Sequence, residues 1–112
     1  MTEKRRHPRF APRATIQAIN VINGRSLGIV SNLSRGGFML MCGNNAPGRG
    51  EIFQLHLLDP REHELDIEVG ATCIWREAAS ASGSYWCGFQ FIDLSDDAAA
   101  RLERYLDTLI GD

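Results

Sequence analysis

At 112 residues the chain has room for one domain and little more. Hydrophobic side chains at 44% and charged ones at 23% are ordinary for a globular protein, and no apolar run approaches the roughly 20 residues that a bilayer-spanning helix needs. The net charge of −2 conceals an asymmetry: residues 1–13 carry five basic side chains and one acidic, a net of +4, and the remainder seven basic and thirteen acidic, a net of −6. Positive charge confined to one end suits a small anion held there and argues against a polynucleotide lying across a broad basic face.

The start, Met1-Thr2-Glu3-Lys4-Arg5-Arg6, runs into Pro8 and Arg9 with no apolar stretch of a secretory signal, so the cytoplasm is the expected compartment. Residues 1–13 are expected to form a flexible basic arm and residues 14–112 the folded domain. From Ala14 to Ile22 the chain is rich in β-branched residues and meets Asn23-Gly24, a strong hairpin signal, with a return strand over 26–32. The polar turn Ser34-Arg35-Gly36-Gly37 follows, then an apolar strand from Phe38 to Met41 and a loop through Asn44, Asn45, Pro47, Gly48 and Gly50.

Over Ile52–Leu58, Phe53, Leu55 and Leu57 alternate with Gln54 and His56, which places His56 outward. The longest alternation sets Leu65, Ile67, Val69, Ala71, Cys73 and Trp75 on one face, with Asp66, Glu68 and Thr72 on the other. Tyr85, Cys87, Phe89 and Phe91 at spacing two make a sixth strand. Phe38, Phe53, Trp75, Phe89 and Phe91 are accordingly expected in the core. The period then changes: Ser95 is a good N-cap, Asp96 and Asp97 suit a first turn, and Ala98, Leu102, Tyr105, Leu106, Leu109 and Ile110 recur at helical spacing. Six short strands without a repeated β-helix-β rhythm predict an all-β fold, a small antiparallel barrel with one C-terminal α-helix packed on it. Cys42, Cys73 and Cys87 lack C-x-x-C spacing and are read as buried, reduced thiols, not as metal ligands.

Two elements carry ligand chemistry. In the arm, Pro8 holds its neighbours extended, and Arg5 and Arg9 offer planar forks that pair with phosphate or a guanine edge and stack on a base. In the turn, the Asn32 amide oxygen can accept from guanine, Ser34 can donate to phosphate, and Gly36 and Gly37 permit positive φ and close backbone approach. Each element also has a purely structural reading, as a solvated tail or a self-capped turn.

Taken together, Arg5-x-x-x-Arg9 followed by Asn32-x-Ser34-x-x-Gly37 resembles the paired signature of PilZ domains, and the resemblance continues through Phe38-Met39-Leu40, Trp75 and Gly88-Phe89-Gln90-Phe91. It implies a split, six-stranded antiparallel β-barrel that binds cyclic di-GMP. Arg5 and Arg9 would then grip guanine and phosphate, Asn32 a base and Ser34 a phosphate, while Gly37 shapes the turn; Arg6, Arg35 and Gly36 are accessory candidates. The ligand would order the arm and signal to a protein partner in motility, biofilm or exopolysaccharide control. No cofactor besides the ligand is expected. Asn32 stands where the family also uses Asp, and lacks that negative charge.

An enzyme is the first competing class, but His7, His56 and His63 are scattered and no H-E-x-x-H, G-x-S-x-G or P-loop pattern occurs. A PilZ-like protein-interaction domain with weak or no nucleotide binding is the second, against which the filled motif speaks. A generic RNA-binding barrel is disfavoured by the acidic body.

Overall fold

The computed structural model describes residues 9–12, 15–61 and 64–110. Its elements are β1 (Gln17–Asn20), β2 (Ser26–Leu33), β3 (Gly37–Cys42), β4 (Ile52–Leu58), β5 (Asp66–Ala78), β6 (Tyr85–Asp93) and α1 (Asp96–Ile110). The strands close into an all-antiparallel barrel in the order β1-β2-β3-β6-β5-β4, with β1 pairing back on β4. Closure gives each of the six strands a neighbour on both sides. The β1–β2 hairpin turns at Asn23-Gly24 as expected, Gly24 taking a φ of 74° and Asn20 and Asn23 accepting from the amides of Ile22 and Arg25. β1 is shorter than the predicted strand, beginning at Gln17.

Alternation supplies the barrel interior. Ala18 faces Leu57, Leu55 faces Val69, Leu57 faces Ile67, and Leu40 faces Cys87, all buried. Phe38 stacks on Phe89 with ring centroids 5.0 Å apart and planes 4° from parallel, and Phe91 leans on Phe38 at 5.4 Å. On the outer face, Gln54 donates to Glu68 and His56 pairs with Asp66, so the polar alternation of β4 and β5 is a solvated lattice of cross-strand pairs. The helix starts as its sequence directs: the Ala98 amide donates to the Ser95 hydroxyl at 3.0 Å, Asp96 and Asp97 occupy the first turn, and Ala98, Leu102, Tyr105 and Leu106 are buried in the core cluster.

Of the four register shifts in the barrel, two decide which way side chains of interest face. Val30 pairs with Leu40 and Leu33 with Phe38, while Asn32 pairs with Met39, so Ser31 is an extra residue in β2. Val30 and Leu33, three apart, are therefore both buried. In β5, Cys73 pairs with Phe89 and Trp75 with Gly88, which makes Ile74 the extra residue. The bulge corrects the placement of Trp75: it leaves the face of Cys73 and lies half-buried across Gly88, where a Cβ would meet the indole Nε1 at 2.2 Å. Phe53 and Phe91 are likewise half-buried and pack against the core from its margin, while Phe38 and Phe89 lie within it.

The three thiols are free and buried. Cys87, on β6, lies between Cys42 on β3 and Cys73 on β5, the two strands that flank it. Burial, reinforced by the Cys87 neighbour, pushes the Cys42 thiol up from 9.0 to about 12, and burial raises Cys73 and Cys87 as well.

Candidate functional site

The β2–β3 turn is built from its own polar atoms. The Ser34 amide donates to the Gly37 carbonyl at 2.9 Å, and the Ser34 hydroxyl accepts from the Gly36 and Gly37 amides and donates to the Gly37 carbonyl, each at 3.2 Å. Ser34 is only 6% exposed. Its single hydroxyl proton is thus spent inside the turn, a use that the residue type alone does not distinguish from donation to a ligand. The Phe91 amide donates to the Gly36 carbonyl at 2.9 Å and stitches the turn to β6.

Glycine serves this turn differently from expectation. Among the described residues positive φ occurs at Gly24, Gly50 and Gly83, and neither Gly36 nor Gly37 is among them. What Gly37 supplies is close approach: a Cβ there would lie 2.0 Å from the Phe89 carbonyl oxygen. The β3–β6 pairing that carries Phe38 onto Phe89 requires glycine at its first residue pair, Gly37 with Gln90.

The bulge at Ser31 aims Asn32. Without the extra residue Asn32 would share the inward face of Val30; with it, Asn32 pairs with Met39 on the outer face. Its Nδ2 approaches the Met39 sulfur at 4.0 Å, a weak contact, and its Oδ1 is buried with no hydrogen-bond partner among the described residues. The pairing continues across the wall: Met39 pairs with Gly88, and Gly88 with Trp75. An outer row Asn32–Met39–Gly88–Trp75 thus spans four strands, about 14 Å at the usual ~4.8 Å strand spacing, and ends in an aromatic ring. Sequence reasoning missed this row, because Trp75 reads as core in an unbroken alternation.

The arm meets the turn directly. Phe10 and Leu33 form an antiparallel bridge with both hydrogen bonds, Phe10 amide to Leu33 carbonyl and Leu33 amide to Phe10 carbonyl, each 2.9 Å. Leu33 lies between Asn32 and Ser34, so the antiparallel direction sets Arg9 beside Ser34. Arg5 and Arg6 lie outside the described residues. Arg35 projects from the turn to α1, where its Nη2 is 2.8 Å from Glu103 Oε2. Of the expected contacts, the structure therefore gathers Arg9, Asn32, Ser34, Gly37, Arg35 and Gly36 at one end of the barrel wall.

Chemically this end offers guanidinium forks, an amide oxygen with an unmade hydrogen bond and a nearby aromatic face. Such a set fits an anionic, planar, hydrogen-bonding ligand. Among the described residues no group of His, Cys, Asp and Glu side chains is placed to hold a metal ion, and no helix is long and apolar enough to cross a membrane. A cleft of about 430 Å³ opens at the opposite end of the barrel, bordered by Asn20, Arg25, Ser26, Asn44, Glu51 and Phe53. Asn20 and Asn23 there are engaged in turn hydrogen bonds, and none of the motif residues borders the cleft.

The PilZ domain family model matches residues 3–108. Among solved structures, the chain is similar to the PilZ domain of YcgR from Escherichia coli, solved with c-di-GMP, at a TM-score of 0.74 and 16% identity, over 97% of this chain and 93% of that one. It is similar to the Bacillus subtilis inhibitor of motility MotI/DgrA at a TM-score of 0.75 and 17% identity, over 99% of this chain and 53% of that one. The MrkH–c-di-GMP complex of K. pneumonia gives a TM-score of 0.75 and 20% identity, over 99% and 55%. The chain thus spans about half the length of the latter two proteins, and the likeness to all three is one of fold. No curated protein matches the chain.

Proposed function

The chain belongs to the PilZ domain family, and from that we propose that it is a receptor for cyclic di-GMP, binding the dinucleotide at the junction of the N-terminal arm and the β2–β3 turn. The observation that carries this reading is the two-way Phe10–Leu33 bridge, which sets Arg9 next to Ser34 and Asn32 on one surface. Arg5 and Arg9 supply forks for phosphate and guanine, and Asn32 supplies an acceptor for guanine N–H groups. Ser34 acts chiefly by holding the turn, with its hydroxyl proton exchangeable from the Gly37 carbonyl to a phosphate. Gly37 lets β3 reach β6.

In this reading residues 1–13 are the arm and 14–112 the platform, and the ligand draws onto the barrel the part of the arm that precedes the Phe10–Leu33 bridge. The ordering cost opposes affinity and changes the surface that a protein partner meets. The domain is a receptor without catalysis of its own and works in the cytoplasm, where cyclic di-GMP is made. The ligand is named in the solved structures of the YcgR PilZ domain and of MrkH, and motility is named for MotI.

Isothermal titration with cyclic di-GMP tests the proposal. The wild-type chain binds and returns the dinucleotide intact, and Arg5→Ala and Arg9→Ala abolish binding. Asn32→Ala weakens binding while leaving apo stability within about 0.5 kcal/mol, since its Oδ1 has no partner to lose. Wild-type affinity in either arginine variant refutes the site.

A further inference from the structure

Arg35 is the one cation in the segment Asn32–Gly37, and its backbone has little freedom. Hydrogen bonds fix both flanks: Ser34 amide to Gly37 carbonyl, Gly36 amide to Ser34 hydroxyl, and Phe91 amide to Gly36 carbonyl. Only the side chain can move, and it is drawn off the turn to α1, where Nη2 lies 2.8 Å from Glu103 Oε2. The pair is open to water, with side-chain exposures of 56% and 54%. An ion pair so exposed is held weakly, and a guanidinium fork accepts a phosphate in the geometry in which it accepts a carboxylate.

We infer that Glu103 sets the affinity of the ligand site by competing with the ligand phosphate for Arg35. The inference rests on the receptor reading above. In the free protein the carboxylate occupies the fork; on binding, Arg35 swings from Glu103 to a phosphate oxygen, and part of the new contact is offset by the ion pair given up. Glu103 touches no ligand and acts only through Arg35, as a positioning residue. The same exchange uncouples the middle of α1 from the turn, so that occupancy of the site is felt on a second element of the fold.

A double-mutant cycle read by calorimetric titration with cyclic di-GMP tests this. Glu103→Gln, which keeps shape but not charge, raises affinity roughly two- to fivefold, the worth of an exposed ion pair. Arg35→Ala lowers affinity about tenfold, the loss of one charge-assisted contact. In the Arg35→Ala background Glu103→Gln has no effect. Asp107→Asn, which removes a charge one helical turn away from Glu103 and not bonded to Arg35, leaves affinity unchanged. Wild-type affinity in Arg35→Ala, or no gain in Glu103→Gln, overturns the inference and leaves the receptor reading intact. A gain from Glu103→Gln that persists without Arg35, or is matched by Asp107→Asn, overturns it in favour of general charge repulsion. Failure of the wild-type chain to bind cyclic di-GMP overturns the receptor reading itself, and the inference with it.

Discussion

Ser34→Ala separates a turn-building role from a ligand-contact role, because the two make opposite predictions for the protein without ligand. The substitution deletes an oxygen that accepts from two amides and donates to one carbonyl. The Gly37 amide is buried and becomes an orphan donor, at a cost of about 1–3 kcal/mol, whereas the half-buried Gly36 amide can recover water, at about 0.5–1.5 kcal/mol. One hydroxyl serves both, so the costs are not additive, and the expected loss is about 2–3 kcal/mol, or roughly 10 °C in Tm for a domain of this size. The assay is urea unfolding of the ligand-free protein followed by circular dichroism, with an unchanged m-value showing that the same folded state is being lost. A loss under about 0.5 kcal/mol would mean that the hydroxyl is not what holds the turn, and would return Ser34 to a pure ligand contact.

Gly37→Ala puts a Cβ 2.0 Å from a backbone oxygen that has no rotamer to escape by, so β3 must part from β6 and stability falls by about 3 kcal/mol or more; a wild-type urea midpoint would refute the close-approach account. Gly88→Val drives the Trp75 indole off the barrel wall, shifting tryptophan emission to the red and costing about 1–3 kcal/mol; unchanged emission would show that the ring does not rest on Gly88. The buried thiols of the native protein resist Ellman's reagent at pH 8, and all three react in denaturant. Their raised proton affinity also sets a sign for alkaline stability. The unfolded chain begins to shed thiol protons near 9.0, while folded Cys42 keeps its own up to about 12. Stability contributed by the protonated thiols is therefore full below pH 9 and falls as pH rises from there, and Cys42→Ala makes that fall shallower.

Much of the fold is legible in local chemistry. Strand number and the place of each strand along the chain follow from period-two alternation bounded by turn residues, the first hairpin from Asn23-Gly24, and the helix from Ser95, two first-turn aspartates and apolar residues at period 3.6. The motif residues are equally legible as types, since arginine forks, an asparagine and close-packed glycines at a strand end limit what can be held there. Their spatial relation is less so. Arg9 and Ser34 are far apart in sequence, and the bridge that sets them side by side is made by backbone atoms of Phe10 and Leu33, which any two residues could supply.

What the sequence by itself determined is the set of strands, the capped helix, the confinement of positive charge to the arm and the identity of the residues offered to a ligand. Only the tertiary structure decided which way several of them face. The extra residues Ser31 and Ile74 turn Asn32 and Trp75 onto the outer wall, and neither bulge leaves a mark in hydrophobic periodicity, because a bulge is a property of two strands in register and not of one. Likewise the Ser34 hydroxyl is committed to its own turn and Arg35 to Glu103 for reasons of distance alone, settled when barrel closure and helix packing bring those atoms together.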